Sequence, residues 1–396
     1  MLSINSIAFK TLTILSVLVL FSNLILSALG APRFITFSVI GVRDLSLIAL
    51  ILTLPIILPL KKRSPFLWLL VLLFWISSGI VFFQSIFFET AATSAQTIGL
   101  FRVVFALPIL VISFCWLCDF NSLKLSDLKW SSYMDFAIKI FVFICLAEAL
   151  IMFLGLYKSY LDLINFNTFM QSKGRTAGVS FGLLEFRLLT PLFNPSAGGV
   201  VLASFFGYFF RARRLSLAVA CLIPLLLTVS KTGWVIAFIF VAFRWLNPVT
   251  GFILASIAYI FLAFLTLDLN VIQSLIPSRD TFMHVASIAS HLNGLTSGFG
   301  HFFSPVGLGN AGTIPGANFA EKFGRESGVG VGLASIGFVY LILVSLSFYA
   351  LGSHYKRVGY LLGSMYLLVA LMSEGPATYY IWLPVFMLFL NTYVPK

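Results

Sequence analysis

Charged residues are scarce in this chain, and the few that lie together form a pattern suited to anion chemistry. The longest polar interval, Leu267–Ser327, holds His284, His291 and His301 together with Arg279 and Arg325. It is rich in glycine and ends on Glu326, where an apolar segment begins. A shorter polar interval, Lys158–Asn194, holds Arg175, Glu185 and Arg187, and Lys231 stands between two apolar segments. The planar fork of arginine pairs bidentately with phosphate and keeps its charge when partly desolvated. Converging cations of this kind would hold an anionic head group and stabilise charge developing on a phosphate leaving group. A carboxylate placed like Glu326, at the start of a helix, is favoured as an anion by the helix dipole. It could accept the proton of an attacking hydroxyl. The plainer alternatives are snorkelling cations, interfacial histidines, and a Glu326 that only marks a helix start or pairs with Arg325.

Other chemistries find less support. His284 and His291 share a helix face, but with His301 they match no zinc spacing. Gly307-Leu-Gly-Asn-Ala-Gly312 has the letter pattern of a dinucleotide fingerprint, yet it follows no strand and opens no helix. Its glycines suit either a flexible loop or backbone amides close to a phosphate. Neither a Walker lysine motif nor an acidic cluster occurs. The expectation is therefore no metal, no cofactor and no nucleic acid. Cys115, Cys118, Cys145 and Cys221 lie in or beside apolar segments and read as buried thiols.

The elements that must position these residues are membrane helices. The chain is 60% hydrophobic and 10% charged, far below the roughly 25% charge of soluble domains. Its mean hydropathy is +1.04. Apolar runs recur at lengths near the ~20 residues that span a hydrocarbon core. They predict a single all-α transmembrane domain over 1–396 with about twelve spans. The spans fall at 11–29, 37–60, 66–87, 98–117, 134–156, 194–210, 215–230, 232–245, 249–266, 328–352, 359–373 and 378–391. The formal charge is +12. Dense basic clusters at Lys61-Lys62-Arg63, Arg211–Arg214 and Lys356-Arg357 set the inner side. Both termini are then cytoplasmic, and 158–194 and 267–327 become the two larger periplasmic loops. The second loop carries an interfacial helix signal: Ser278 as cap, then Phe282, Val285, Ile288 and Leu292 on one face. Lys231 falls at the outer tip of a hairpin. Inside the membrane, Arg102, Lys139 and Glu148 are expensive and need partners; Glu148 could pair with either cation.

The ordered motifs in 170–345 resemble the membrane glycosyltransferases that include Wzy-type O-antigen polymerases and O-antigen ligases. Arg187 followed by Leu192-Phe-Asn194-Pro195 is similar to that family's arginine before an asparagine–proline helix start. Thr228-Val-Ser-Lys231-Thr-Gly233 resembles its T-x-S-R-G hairpin tip, with lysine in place of arginine. Arg279 and Pro305-Val-Gly-Leu-Gly309 resemble the arginine helix and P-x-G-x-G turn of the large loop. Glu326-Ser-Gly before a glycine-containing helix resembles the polar residue that closes it. The resemblance implies a bacterial inner-membrane enzyme whose substrate is an undecaprenyl-pyrophosphate-linked oligosaccharide. Other implied partners are the lipid bilayer, a chain-length regulator and a flippase. It implies catalytic roles for Glu326, Arg187 and Arg279, with Arg175, Lys231, Arg325 and His301 binding pyrophosphate or glycan. A histidine near the loop end is the ligase pattern; Glu326 stands there instead, which favours a polymerase. A ligase and a lipid-linked oligosaccharide flippase are the alternatives.

Overall fold

The computed structural model describes residues 4–30, 65–87, 100–117, 128–167, 187–242, 247–251, 253–254, 256–257, 291, 293–312, 327–373 and 377–391. Arg175, Arg279, Arg325, Glu326 and the segments 37–60 and 258–290 lie outside them. Among the described residues the regular structure is all helical. Four helical stretches are long and apolar enough to cross a membrane: Ser6–Ala28, Pro65–Gln84, Trp130–Phe153 and Phe338–Met372, the last of which turns at Lys356. The chain is thus a helical membrane protein. It divides into two compact units, one built from Met1–Leu58, Trp116–Arg244 and Tyr380–Lys396, the other from Pro59–Cys115 and Trp245–Tyr379.

The first unit contains α1 (Ile4–Ala28), α4 (Leu128–Phe153), α5 (Tyr157–Leu163), α6 (Pro195–Arg211), α7 (Leu215–Thr228), α8 (Lys231–Ala242) and most of α11 (Tyr379–Asn391). α6 is its centre and packs on both α7 and α8. Small residues make this close approach possible, as they do between membrane helices generally. A Cβ on Gly233 would lie 2.8 Å from the Gly199 backbone, and one on Gly207 would run into the Phe240 ring. Phe240 is itself held by stacking on Phe389 at 5.2 Å. At the Arg213 turn between α6 and α7, Arg214 reaches Asp135 of α4 at 3.2 Å, and Lys139 reaches the same carboxylate at 2.7 Å. Lys139 is therefore not the partner of Glu148. Glu148 accepts instead from the Tyr160 hydroxyl at 2.8 Å. Cys145 and Cys221 are buried free thiols, as their apolar setting predicts.

The second unit contains α2 (Pro65–Phe87), α3 (Ala106–Val111), α9 (Gly328–Ile336) and α10 (Phe338–Met372). Two helices read as continuous from sequence are interrupted, and a further described helix folds back on itself. The 98–117 segment breaks at Phe105 and ends in a π-helical turn, Ile112–Leu117. Pro108 cannot donate into a continuing helix and its ring disfavours one. The wider turn presents the Phe114 carbonyl to the Tyr355 hydroxyl at 2.7 Å. The 328–352 segment breaks at Gly337, which has φ 62 and ψ −143. A Cβ there would sit 2.6 Å from the Phe302 carbonyl oxygen, which accepts from Phe338 N–H at 3.0 Å. Only glycine suits both the dihedral and the space. Finally, α10 is a hairpin. Lys356 has φ 52 and ψ −131, and the chain doubles back around it. Gly359 abuts the Leu351 carbonyl, Gly352 faces the Tyr360 ring, and Gly363 faces Phe348. Two antiparallel helices meeting at Lys356 agree with the separate spans expected on either side of Lys356-Arg357.

Candidate functional site

The first cluster forms where 187–194 crosses the tip between α7 and α8. Leu188 N–H donates to the Leu227 carbonyl at 3.0 Å, so the two strands of chain run side by side there. Arg187 extends the pairing with its side chain: Nε donates to the Thr228 carbonyl and Nη2 to the Val229 carbonyl, both at 2.9 Å. These are the carbonyls left over at the C-terminus of α7, where Val229 turns left-handed at φ 48. A cation on the last carbonyls of a helix also complements the dipole. Arg187 thus closes α7 and is fixed by doing so.

The segment around Arg187 is tied down from several sides. Asn194 caps α6, its side-chain oxygen accepting from Ser196 and Ala197 N–H at 3.0 and 3.1 Å, with Pro195 in the first turn. Asn and then Pro is the strongest helix-start pair. Leu189 N–H donates to the Tyr157 hydroxyl at 2.9 Å, and Asn23 Nδ2 to the Leu192 carbonyl at 2.7 Å. Leu188, Leu189 and Phe193 enter an apolar cluster with Tyr157, Leu161 and Ile164. Thr190 is completely buried with φ 60 and lies against Gly198. The Thr190 amide also approaches the Glu148 carboxylate.

Lys231 arrives from the other side. Ser230 caps α8, its hydroxyl accepting from Gly233 N–H at 3.1 Å and packing against Gly199 at the start of α6. This places Lys231 in the first turn of α8, exposed to solvent and close enough to Arg187 to feel its charge. Partial desolvation holds the Lys231 ammonium below the usual lysine range, and the neighbouring Arg187 charge lowers it further. Burial likewise lowers Arg187, which stays charged at any working pH. Two neighbouring cations beside the starts of α6 and α8 make an electropositive spot, because helix N-termini add partial positive charge.

The second cluster lies in the other unit, at the end of the large polar interval. Residues 293–300 are helical, and Gly298 rests on the Gly330 backbone of α9. His301 follows this helix, its Nδ1 3.2 Å from the Ser304 carbonyl. Pro305–Gly309 is a turn pinned to α9 through Val306 N–H and the Ala334 carbonyl at 2.9 Å. Leu308–Asn310 forms a single 3-10 turn with Gly307 at φ 86. The glycine run is therefore an anchored turn, not a flexible loop and not a dinucleotide fingerprint. Ser327 caps α9, accepting from Gly330 N–H at 3.1 Å, so the residue ahead of it, Glu326, precedes a genuine helix start.

Of the seven site residues expected from sequence, Arg187, Lys231 and His301 are described. The structure brings Arg187 and Lys231 together in one unit and puts His301 in the other. Arg175, Arg279, Arg325 and Glu326 lie outside the described residues. Glu148 was legible only as an expensive intramembrane charge; its place behind the Arg187 segment was not. It is 2% exposed, and among the described residues no group completes a hydrogen bond to its Oε2. Beside it, burial and then the Glu148 charge push the Tyr157 and Tyr160 phenols up, so both remain neutral donors. Among the described residues no three His, Cys, Asp or Glu side chains come together as a metal site would require.

The lowered lysine gives a pH signature. A base with a depressed pKa loses its charge at lower pH than in the unfolded chain, so any function of the Lys231 cation fails early on the alkaline side. Any activity that depends on this cation should fall with rising pH before the ordinary lysine range is reached. In Lys231→Arg that alkaline limb should disappear, since arginine does not titrate there. A pH–rate comparison of the two proteins checks this.

No protein-family model, no curated protein and no solved structure is significantly similar to the chain.

Proposed function

We propose that this protein is a membrane glycosyltransferase of the O-antigen polymerase type, acting on undecaprenyl-pyrophosphate-linked glycan at the periplasmic face of the bacterial inner membrane. The observation that carries the reading is the meeting of Arg187 and Lys231. They are distant in sequence, each belongs to a motif resembling that family, and together they make a cationic spot in which two hydrogen bonds fix Arg187.

The reaction asks little beyond such a spot. A sugar hydroxyl of the acceptor attacks the anomeric carbon of the donor glycan. The bond from that carbon to the pyrophosphate oxygen breaks, and undecaprenyl pyrophosphate leaves with the electron pair. The leaving group is already a good anion, so cations that stabilise it do most of the work. Arg187 and Lys231 fill this role, joined by Arg279, with Arg175, Arg325 and His301 as further contacts to pyrophosphate or glycan. Glu326 takes the proton from the attacking hydroxyl. No cofactor is required, because cleavage of the donor bond drives transfer.

The lipopolysaccharide banding pattern of a deletion strain tests the assignment in the cell. A polymerase leaves a single repeat unit on the core and no ladder. Loss of all O-antigen with intact core would replace the proposal with a ligase or a flippase.

A further inference from the structure

The Lys356 turn encloses a feature that the transfer reaction does not use. A cavity of about 610 Å³ lies between the turn and the start of the helix at 247, lined by Lys356, Arg357, Ser353, Tyr360 and Asn247. Its size falls within the roughly 300–1,000 Å³ of small-molecule sites. Among the described residues, none that lines it is acidic. The Tyr360 ring lies on Gly352, where any side chain would displace it, and is braced by Phe348 at a ring separation of 5.4 Å. The facing wall is fixed as well: Asn247 Oδ1 accepts from Val249 N–H at 3.0 Å. The Ser364 hydroxyl holds the neighbouring Pro248 carbonyl at 3.4 Å.

The backbone at the turn points the same way. Lys356 adopts φ 52 and ψ −131, a conformation that glycine takes freely and lysine takes only under constraint. A glycine would make the tighter turn at lower cost. The lysine contributes a cation at the mouth of the cavity, next to the cation of Arg357. The turn ends two apolar helical stretches, and the end of a membrane-spanning stretch belongs near the depth of the lipid phosphates. Basic pockets between helices at that depth suit phosphate head groups.

We propose that the cavity at the Lys356 turn binds a phosphate-bearing anion, with Lys356 and Arg357 on the phosphate and the neutral polar side chains of Tyr360 and Asn247 beside it, while the Ser353 hydroxyl donates to the Ala350 carbonyl at 3.0 Å. The proposal is independent of the glycosyltransferase reading and of any residue assigned to it. The phosphate belongs to an anionic lipid or to a soluble phosphate, and two arms of one experiment separate these sources.

The purified full-length protein in detergent is titrated with phosphatidylglycerol and with phosphatidylcholine, and retained lipid is read by native mass spectrometry. In parallel its melting temperature is followed against inorganic phosphate. The variants are Lys356→Gly, Arg357→Gln and the pair. Phosphatidylglycerol should be retained over phosphatidylcholine, with affinity falling roughly 5-fold for each cation removed. Lys356→Gly should melt at the same temperature as the native protein or higher, so weaker binding in that variant is not a folding defect. A phosphate-dependent rise in melting temperature that the paired variant loses, without phosphatidylglycerol preference, assigns the site to a soluble phosphate. The proposal is overturned if neither anion binds the native protein, or if the paired variant binds both as well as the native protein does.

Discussion

Arg187→Ala should yield a protein that still enters the membrane but makes no long-chain product, with transfer reduced by about 100- to 1,000-fold. The magnitude is that of removing one donor aimed at charge that develops only in the transition state. Arg187 also closes α7 through the Thr228 and Val229 carbonyls, so the variant should lose stability, on the order of 1–3 kcal/mol for buried acceptors left unmet. The two losses separate experimentally. Arg187→Lys keeps the charge but cannot span two carbonyls and still meet a phosphate, since an ammonium lacks the planar fork. It should recover part of the stability and little of the ladder. If either variant melts earlier yet makes a normal ladder, Arg187 is a helix cap and the pyrophosphate role is wrong.

Lys231→Glu should have opposite effects on activity and stability. Lys231 lies near a second cation and in the first turn of α8, where the dipole favours an anion. A glutamate there would relieve the repulsion, pair with Arg187 and suit the helix start, for a gain of roughly 0.3–1 kcal/mol. It would also fill the cationic spot with a permanent carboxylate, and polymer formation should disappear. Lys231→Arg, which restores the residue of the related hairpin motif, should stay active. Thermal melting and lipopolysaccharide gels on the three proteins read both quantities. A glutamate variant that is stable and fully active would remove Lys231 from the site.

Much of the frame was legible in the chain because local chemistry fixed it. Asn194-Pro195, Ser230 and Ser327 are helix starts by their own side chains, and each caps the helix that the sequence placed after it. The apolar runs marked α1, α2 and α4, and the basic pair at Lys356-Arg357 marked the turn inside α10. What sequence reading missed depends on residues far apart in the chain. Gly337 breaks a helix because the Phe302 carbonyl arrives beside it, and no local pattern announces that arrival. Arg187 could be read as a cation but not as the cap of a helix that ends about forty residues later. Glu148 could be read as costly, but its partner Tyr160 lies on a short helix, α5, hidden inside a segment read as loop.

The central claim is that this chain forms glycosidic bonds on a lipid-linked glycan, and the purified protein can be asked directly. Protein in detergent is mixed with undecaprenyl-pyrophosphate-linked repeat units and EDTA, without nucleotide or gradient, and lipid-linked products are sized. The account predicts a ladder of longer lipid-linked oligomers with release of undecaprenyl pyrophosphate, lost in Arg187→Ala. It is contradicted if the native protein forms no oligomer while the same lipid crosses the bilayer of liposomes containing it.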